Sequence, residues 1–255
     1  AFVACTDMDE IVPEGGTMLD AQVKETNLIA PSRAEASFNG MFSYTGQPTA
    51  CYGGGNDGRA DDWGFLMINY SNDIEGPDVV VADSGYNWFS VCGEYSSRDA
   101  SYANPYIRYA VPYNLISMVN TFLMGFAEDV DTPEALHMIA QAKALRAYAY
   151  LNLVTDFQFN YQIAKDKPGV PIVTEETVDF TNNPRATVEE IYTLILEDLN
   201  YAVETLEAST IVRPTKAFID ANVAHGLRAR AYLDMGEWKN AYDDAVAAAE
   251  GYTPA

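Results

Sequence analysis

The chain has 255 residues, of which 48% are hydrophobic, enough to build a sizeable core and to exclude wholesale disorder. With 15 Lys and Arg against 37 Asp and Glu, the formal charge is −22. Phosphate backbones and anionic headgroups repel such a chain, so nucleic acid is not an expected partner, and no apolar run reaches the roughly 18 residues of a membrane span.

In chain order, residues 1–16 read as a flexible tether. Ala4 directly before Cys5, after Phe2-Val3, matches the tail of a bacterial lipoprotein signal, in which cleavage before the Cys frees its amine and thiol for acylation. Asp7, Asp9 and Glu10 suit a solvated tether, and a buried free thiol is the bland alternative. One helix is expected between 17 and 44, starting after Pro31-Ser32 with Ala34, Phe38, Met41 and Phe42 on one side. Residues 45–103 differ in texture. Clusters such as Gly53-Gly54-Gly55 and Gly76-Pro77 interleave with aromatic rings and predict loops, where binding residues concentrate. Within them, Cys51 and Cys92 have no spacing that decides whether they pair.

From Asn104 the pattern turns helical. Ile107, Val111, Leu115, Val119, Phe122 and Phe126 recur every three to four residues, with Pro112 expected to kink or restart the helix. Thr132-Pro133-Glu134 supplies a capping hydroxyl, a first-turn proline and an acid for a helix running to about Phe157. A long connection spans 158–186. Thr187 and Glu190 form a capping box opening a helix that buries Ile191, Ile195, Leu199 and Leu206. A further helix reaches Met235, Gly236 permits a tight turn, and a last helix follows. Ala229, Gly236, Ala241, Ala245 and Ala248 let two antiparallel helices approach, with Tyr232 and Trp238 expected to fill the turn, as in a tetratricopeptide hairpin.

The loop stretch holds the candidate chemistry. Tyr86, Asn87 and Trp88, with Arg98 nearby, combine aromatic faces for the apolar side of a sugar with planar polar groups for its hydroxyls. Trp63 beside Asp61 and Asp62 is a second candidate; for both sets the competing reading is that the rings pin loops to the scaffold. Asp61, Asp62, Asp73, Glu75 and Asp78 are carboxylates of the kind a glycosidase needs, but 37 acids produce such clusters by chance, and a solvated acidic surface is the simpler reading. Catalysis is disfavoured, since two His and no GxSxG elbow leave little for a triad. Asn56, Asp57, Asp61 and Asp62 offer hard oxygens for a calcium ion, without the spacing of a known loop. Arg146, Arg185 and Arg228 are expected to meet helix acids or carbonyl ends rather than ligand.

Three blocks, in order, resemble the SusD/RagB family of outer-membrane lipoproteins. They are residues 140–154 with Gly169-Val170-Pro171 after them, residues 184–206 beginning Pro184-Arg185-Ala186-Thr187, and residues 215–238 ending Met235-Gly236-Glu237-Trp238. The resemblance is good over 104–252 and loose over 17–103. It implies a mainly α fold: tetratricopeptide-like hairpins with a long loop-rich insertion, in which 104–252 is the helical-repeat scaffold and 45–103 faces ligand. It also implies a cell-surface protein anchored in the outer membrane by lipid at Cys5, without catalysis or a required cofactor. Such a protein captures oligosaccharide for import through a TonB-dependent transporter of the SusC type. A peptide ligand, or a scaffold that binds only a protein partner, remains the alternative. Family members are about twice as long, so the chain is expected to correspond to their front half.

Overall fold

The computed structural model describes residues 20–30, 32–46, 51, 61–77, 79–81 and 88–252. The expected single helix before residue 45 is two, α1 (Asp20–Ile29) and α2 (Ser32–Gly46). The second starts after Pro31 as anticipated and buries Ala34, Phe38, Met41 and Phe42. The stretch expected to be loops contains α3 (Phe65–Glu75) and a single turn, α4 (Ser90–Gly93). Phe65, Ile68 and Ile74 give α3 a buried face, a helical spacing obscured in the sequence by the glycines around it.

The scaffold follows as α5 (Ala103–Met124), α6 (Pro133–Phe157), the turn α7 (Tyr161–Ala164), β1 (Pro168–Pro171), β2 (Arg185–Thr187), α8 (Val188–Ala208), α9 (Ala221–Met235) and α10 (Trp238–Ala249). Helix α6 is its axis, packed between α5 and α8. Ala140, Ala142, Ala144, Ala147 and Ala149 are 0% exposed, so small side chains on nearly every face let neighbouring helices close in. Helix α5 runs through Pro112 without restarting. A mid-helix proline costs roughly 3 kcal/mol. Against it stand Val111, Leu115, Ile116 and Val119, all at 0–1% exposure, each contributing about 1.5–3 kcal/mol by burial. Packing wins. Thr132 precedes α6 as expected, although its hydroxyl makes no capping bond, whereas the Thr187–Glu190 box closes from both sides.

A buried polar knot locks α6 to α8. Arg146 and Asp198 are each 2% exposed and meet as a fork, Nε to Oδ2 at 2.7 Å and Nη2 to Oδ1 at 2.9 Å. Glu175 and Asn120 take the remaining guanidinium edge. Burial alone would push the Glu175 carboxyl up, but the Arg146 charge and its hydrogen bonds hold it below the ordinary range. Fully buried Tyr150 both donates to the Val173 carbonyl and accepts the Val173 N–H, pinning the 158–186 connection to α6. Beneath it β1 and β2 pair antiparallel. A Cβ on Gly169 would drive into the Ile191 side chain, so the strand lies this close to α8 only because that residue is glycine.

Gly236 ends α9 in the left-handed region (φ 76°), as its place in the hairpin predicts. Trp238 departs from expectation. It is 69% exposed and, with Leu233 at 52% and Tyr242 at 68%, forms an outward apolar face of the hairpin rather than its filling. Ala229, Ala241, Ala245 and Ala248 line the same outer hollow as Trp238, at the first position of α10, so their spacing marks a common side of the hairpin without supplying a cover for the ring. Gly236→Ala is expected to lose about 1–2 kcal/mol in urea unfolding from left-handed strain, with Gly236→Asn losing less. An added Cβ would also sit 2.5 Å from Gln162 Nε2, whose amide donates to the Met235 carbonyl.

Candidate functional site

The sequence candidates fall in different places. Tyr86 and Asn87 lie outside the described residues, as do Cys5, Asn56, Asp57 and Asp78. Trp63 stands just before α3 and is 43% exposed; Trp88, 38% exposed, stands just before α4. Arg98 belongs to the opposite end of α3 from Trp63, because its Nη2 meets Glu75 Oε1 at 3.1 Å. Eleven residues of helix separate those ends by roughly 15 Å, so Trp63 and Arg98 are not one site.

The acid pair beside Trp63 is not the solvated surface its sequence suggests. Asp61 and Asp62 are 3% and 2% exposed, and both Asp62 oxygens accept the Cys51 N–H, at 2.9 and 3.0 Å. Burial, then the Asp62 charge, pushes the Cys51 thiol up to about 12, which keeps it protonated at neutral pH. Cys51 and Cys92 are both free thiols. Among the described residues, no group of three or more His, Cys, Asp or Glu is placed to hold a metal ion. Glu75, another candidate acid, is committed to ion pairs with Arg98 and Arg108.

Arg98 is the candidate that opens into a concavity. Together with Tyr106 and Tyr109 from the first turns of α5, Phe157 at the end of α6, Val170 of β1 and Arg185 of β2, it lines a groove of about 460 Å³. That volume falls in the roughly 300–1,000 Å³ typical of small-ligand sites. Tyr106 and Tyr109 are 47% and 40% exposed. Tyr109 is braced edge-on by Phe157 at 5.3 Å and by the tilted ring of Tyr113 at 4.6 Å, so it is a fixed platform rather than a swinging ring.

The scaffold sets both guanidiniums. Arg108, 8% exposed, donates to Asn104 Oδ1 at 2.9 Å, Asp156 Oδ1 at 3.0 Å and Glu75 Oε1 at 2.9 Å, tying α3, α5 and α6 together. Burial pushes the Asp156 carboxyl up, with Arg108 opposing. Arg98 shares that Glu75 oxygen and lies over the Tyr95 ring at 4.8 Å. Tyr95 and Ser97 hold left-handed backbone (φ 53° and 55°), a strain of order 1–3 kcal/mol each that the surrounding contacts sustain. Across the groove Arg185 donates to the Gly169 and Pro168 carbonyls, the carbonyl-end role its sequence suggests. Arg146 and Arg228 likewise meet Asp198 and Asp244. Larger hollows, of about 550 Å³ between α1 and the α5–α6 turn and about 640 Å³ on the outer α9–α10 face, contain none of the sequence candidates for ligand binding.

A family described as SusD-like, starch-binding proteins associating with the outer membrane, matches residues 64–233, two thirds of the chain. The chain belongs to the SusD-like family. A SusD-like carbohydrate-binding protein from Bacteroides vulgatus superposes with a TM-score of 0.73 at 27% identity, covering 88% of this chain and 46% of that one. A SusD superfamily protein from Bacteroides fragilis gives 0.65 at 26% identity, covering 88% and 50%. A laminarin-binding SusD-like protein shares the fold, with a TM-score of 0.61 at 20% identity, covering 84% and 42%. The chain thus spans about half the length of the solved relatives it matches. Among curated proteins none matches. The mainly helical fold of these relatives is the one the sequence blocks imply. Among the described residues no helix is long and apolar enough to cross a membrane.

What sequence reasoning missed is the rest of the groove. Tyr106 and Tyr109 sit inside a strongly periodic helix, where rings read as core, and Arg185 reads as a loop anchor. The signal that marks them is their three-residue spacing on the side of α5 away from Ile107 and Val111.

Proposed function

We propose that this chain captures oligosaccharide at the outer-membrane surface, tethered through Cys5, and hands it unaltered to a TonB-dependent transporter. The observation that carries the reading is the groove: two braced or half-exposed tyrosine faces flanked by two guanidiniums, held by helices and not by the loops alone. Aromatic faces take the apolar side of a sugar ring, and fixed N–H forks take its hydroxyls. Membership of a family described as starch-binding, and likeness to a carbohydrate-binding protein, support the same ligand class. Trp88, 38% exposed just before α4, belongs to the proposal as a further ring outside the groove's lining.

A shallow groove of this kind binds weakly, and a tether beside a pore compensates by raising the effective concentration of cargo. Calorimetric titration with α-glucan, β-glucan and uronate oligosaccharides tests this. Saturable binding to at least one, reduced in Trp88→Ala, with the sugar recovered at unchanged length, is expected. Shortened product would make the protein a hydrolase, and no binding by any oligosaccharide would remove the carbohydrate reading.

A further inference from the structure

The groove's charge runs against that of the chain. In a protein of formal charge −22, the described residues lining it include Arg98 and Arg185 but no Asp or Glu. The network behind Arg98 is neutral as a set, since Arg98 and Arg108 face Glu75 and Asp156. Arg185 then adds an uncompensated charge: its partners are the carbonyls of Gly169 and Pro168, and it forms no ion pair with a carboxylate among the described residues. Those carbonyls occupy Nε and Nη2, and Nη1 has no hydrogen-bond partner among the described residues. Arg98 spends Nη2 on Glu75, and its Nε and Nη1 have no partner among the described residues. Both groups are reachable: Arg98's side chain is 52% exposed, and Arg185 is exposed. The positive end of the 22-residue α5 helix, whose first turn contributes Pro105 and Tyr106 to the wall, acts in the same direction.

From this arrangement we infer that the groove selects a sugar bearing a carboxylate, a uronic acid, in preference to a neutral one. The inference rests on the carbohydrate-capturing reading above and names its substrate class. Tyr106 and Tyr109 take the ring face, and the carboxylate meets the remaining N–H groups of Arg98 and Arg185 in charge-assisted hydrogen bonds, stronger than those a neutral hydroxyl makes. Acids elsewhere on the surface repel such a ligand, so the preference is local and depends on those two side chains.

The test compares oligogalacturonate with its methyl ester, which keeps the skeleton and removes the charge. On the unchanged chain the acid is expected to bind about ten-fold or more tightly than the ester, as charge-assisted hydrogen bonds imply. Added salt should weaken the acid and leave the ester alone. Arg98→Gln and Arg185→Gln should each narrow the gap. If Arg185→Gln unfolds, as circular dichroism would show, the comparison on the unchanged chain and Arg98→Gln still decide. Equal binding of acid and ester overturns the inference while leaving carbohydrate capture intact. Preference for a sulfated galactan over the uronate overturns the carboxylate assignment. Failure of every glycan, neutral ones included, overturns both readings.

Discussion

Arg146→Ala is expected to lower unfolding free energy by about 3–5 kcal/mol. The cost is not the lost attraction but what remains. Asp198, 2% exposed on α8, loses the fork that neutralised it, and Asn120 and Glu175 lose a common partner. Lys143, 3.3 Å from Asp198 and 23% exposed, still pairs with it, but reaches only one oxygen. Domains of this size hold about 5–15 kcal/mol in total, so the variant should sit near the edge of folding. Urea titration followed by circular dichroism measures it. Arg146→Met combined with Asp198→Leu should recover much of the loss, because the apolar pair removes the deeply buried charge and leaves only Glu175 and Lys143, at 26% and 23% exposure, to water. A single variant as stable as the parent would show that α6 and α8 do not depend on this knot.

The second large effect is on binding. Tyr109→Ala is expected to weaken oligosaccharide affinity by about 3- to 10-fold, in line with the roughly 0.5–1.5 kcal/mol carried by a well-placed ring contact. Tyr109→Phe should bind nearly as the parent does, since the ring and its bracing by Phe157 and Tyr113 persist. Removing Tyr106 as well should take binding below detection in the same calorimetric experiment. Stability should change little, because Tyr109 is 40% exposed and stands outside the buried core. Unaltered affinity in the double variant would place the ligand elsewhere.

Features that depend on near neighbours were legible in the sequence. Thr187 and Glu190 are three residues apart, and the box they form needs nothing from the rest of the chain. Gly236 is likewise fixed by the turn it ends. The buried stripes of α2, α5 and α8 follow from their own spacing. Features set by distant partners were not. Asp61 and Asp62 look solvated until Cys51 brings its N–H to the second of them. Pro112 looks like a break until the burial of its neighbours is weighed. Trp238 looks like packing because spacing identifies a helix side without saying what lies beyond it. The groove is the clearest case: Arg98, Tyr109, Phe157 and Arg185 come from four separate segments, so only the packed chain brings them together.

The most direct test of a rigid, non-catalytic capture groove is an NMR titration of the chain with an oligosaccharide that calorimetry shows to bind. The account predicts that shifted backbone amides cluster at Arg98 to Tyr109, Gly169 to Val170 and Arg185, with the sugar's mass unchanged afterwards. Shifts confined to the hollow between α1 and the α5–α6 turn, or to the outer α9–α10 face, would contradict it.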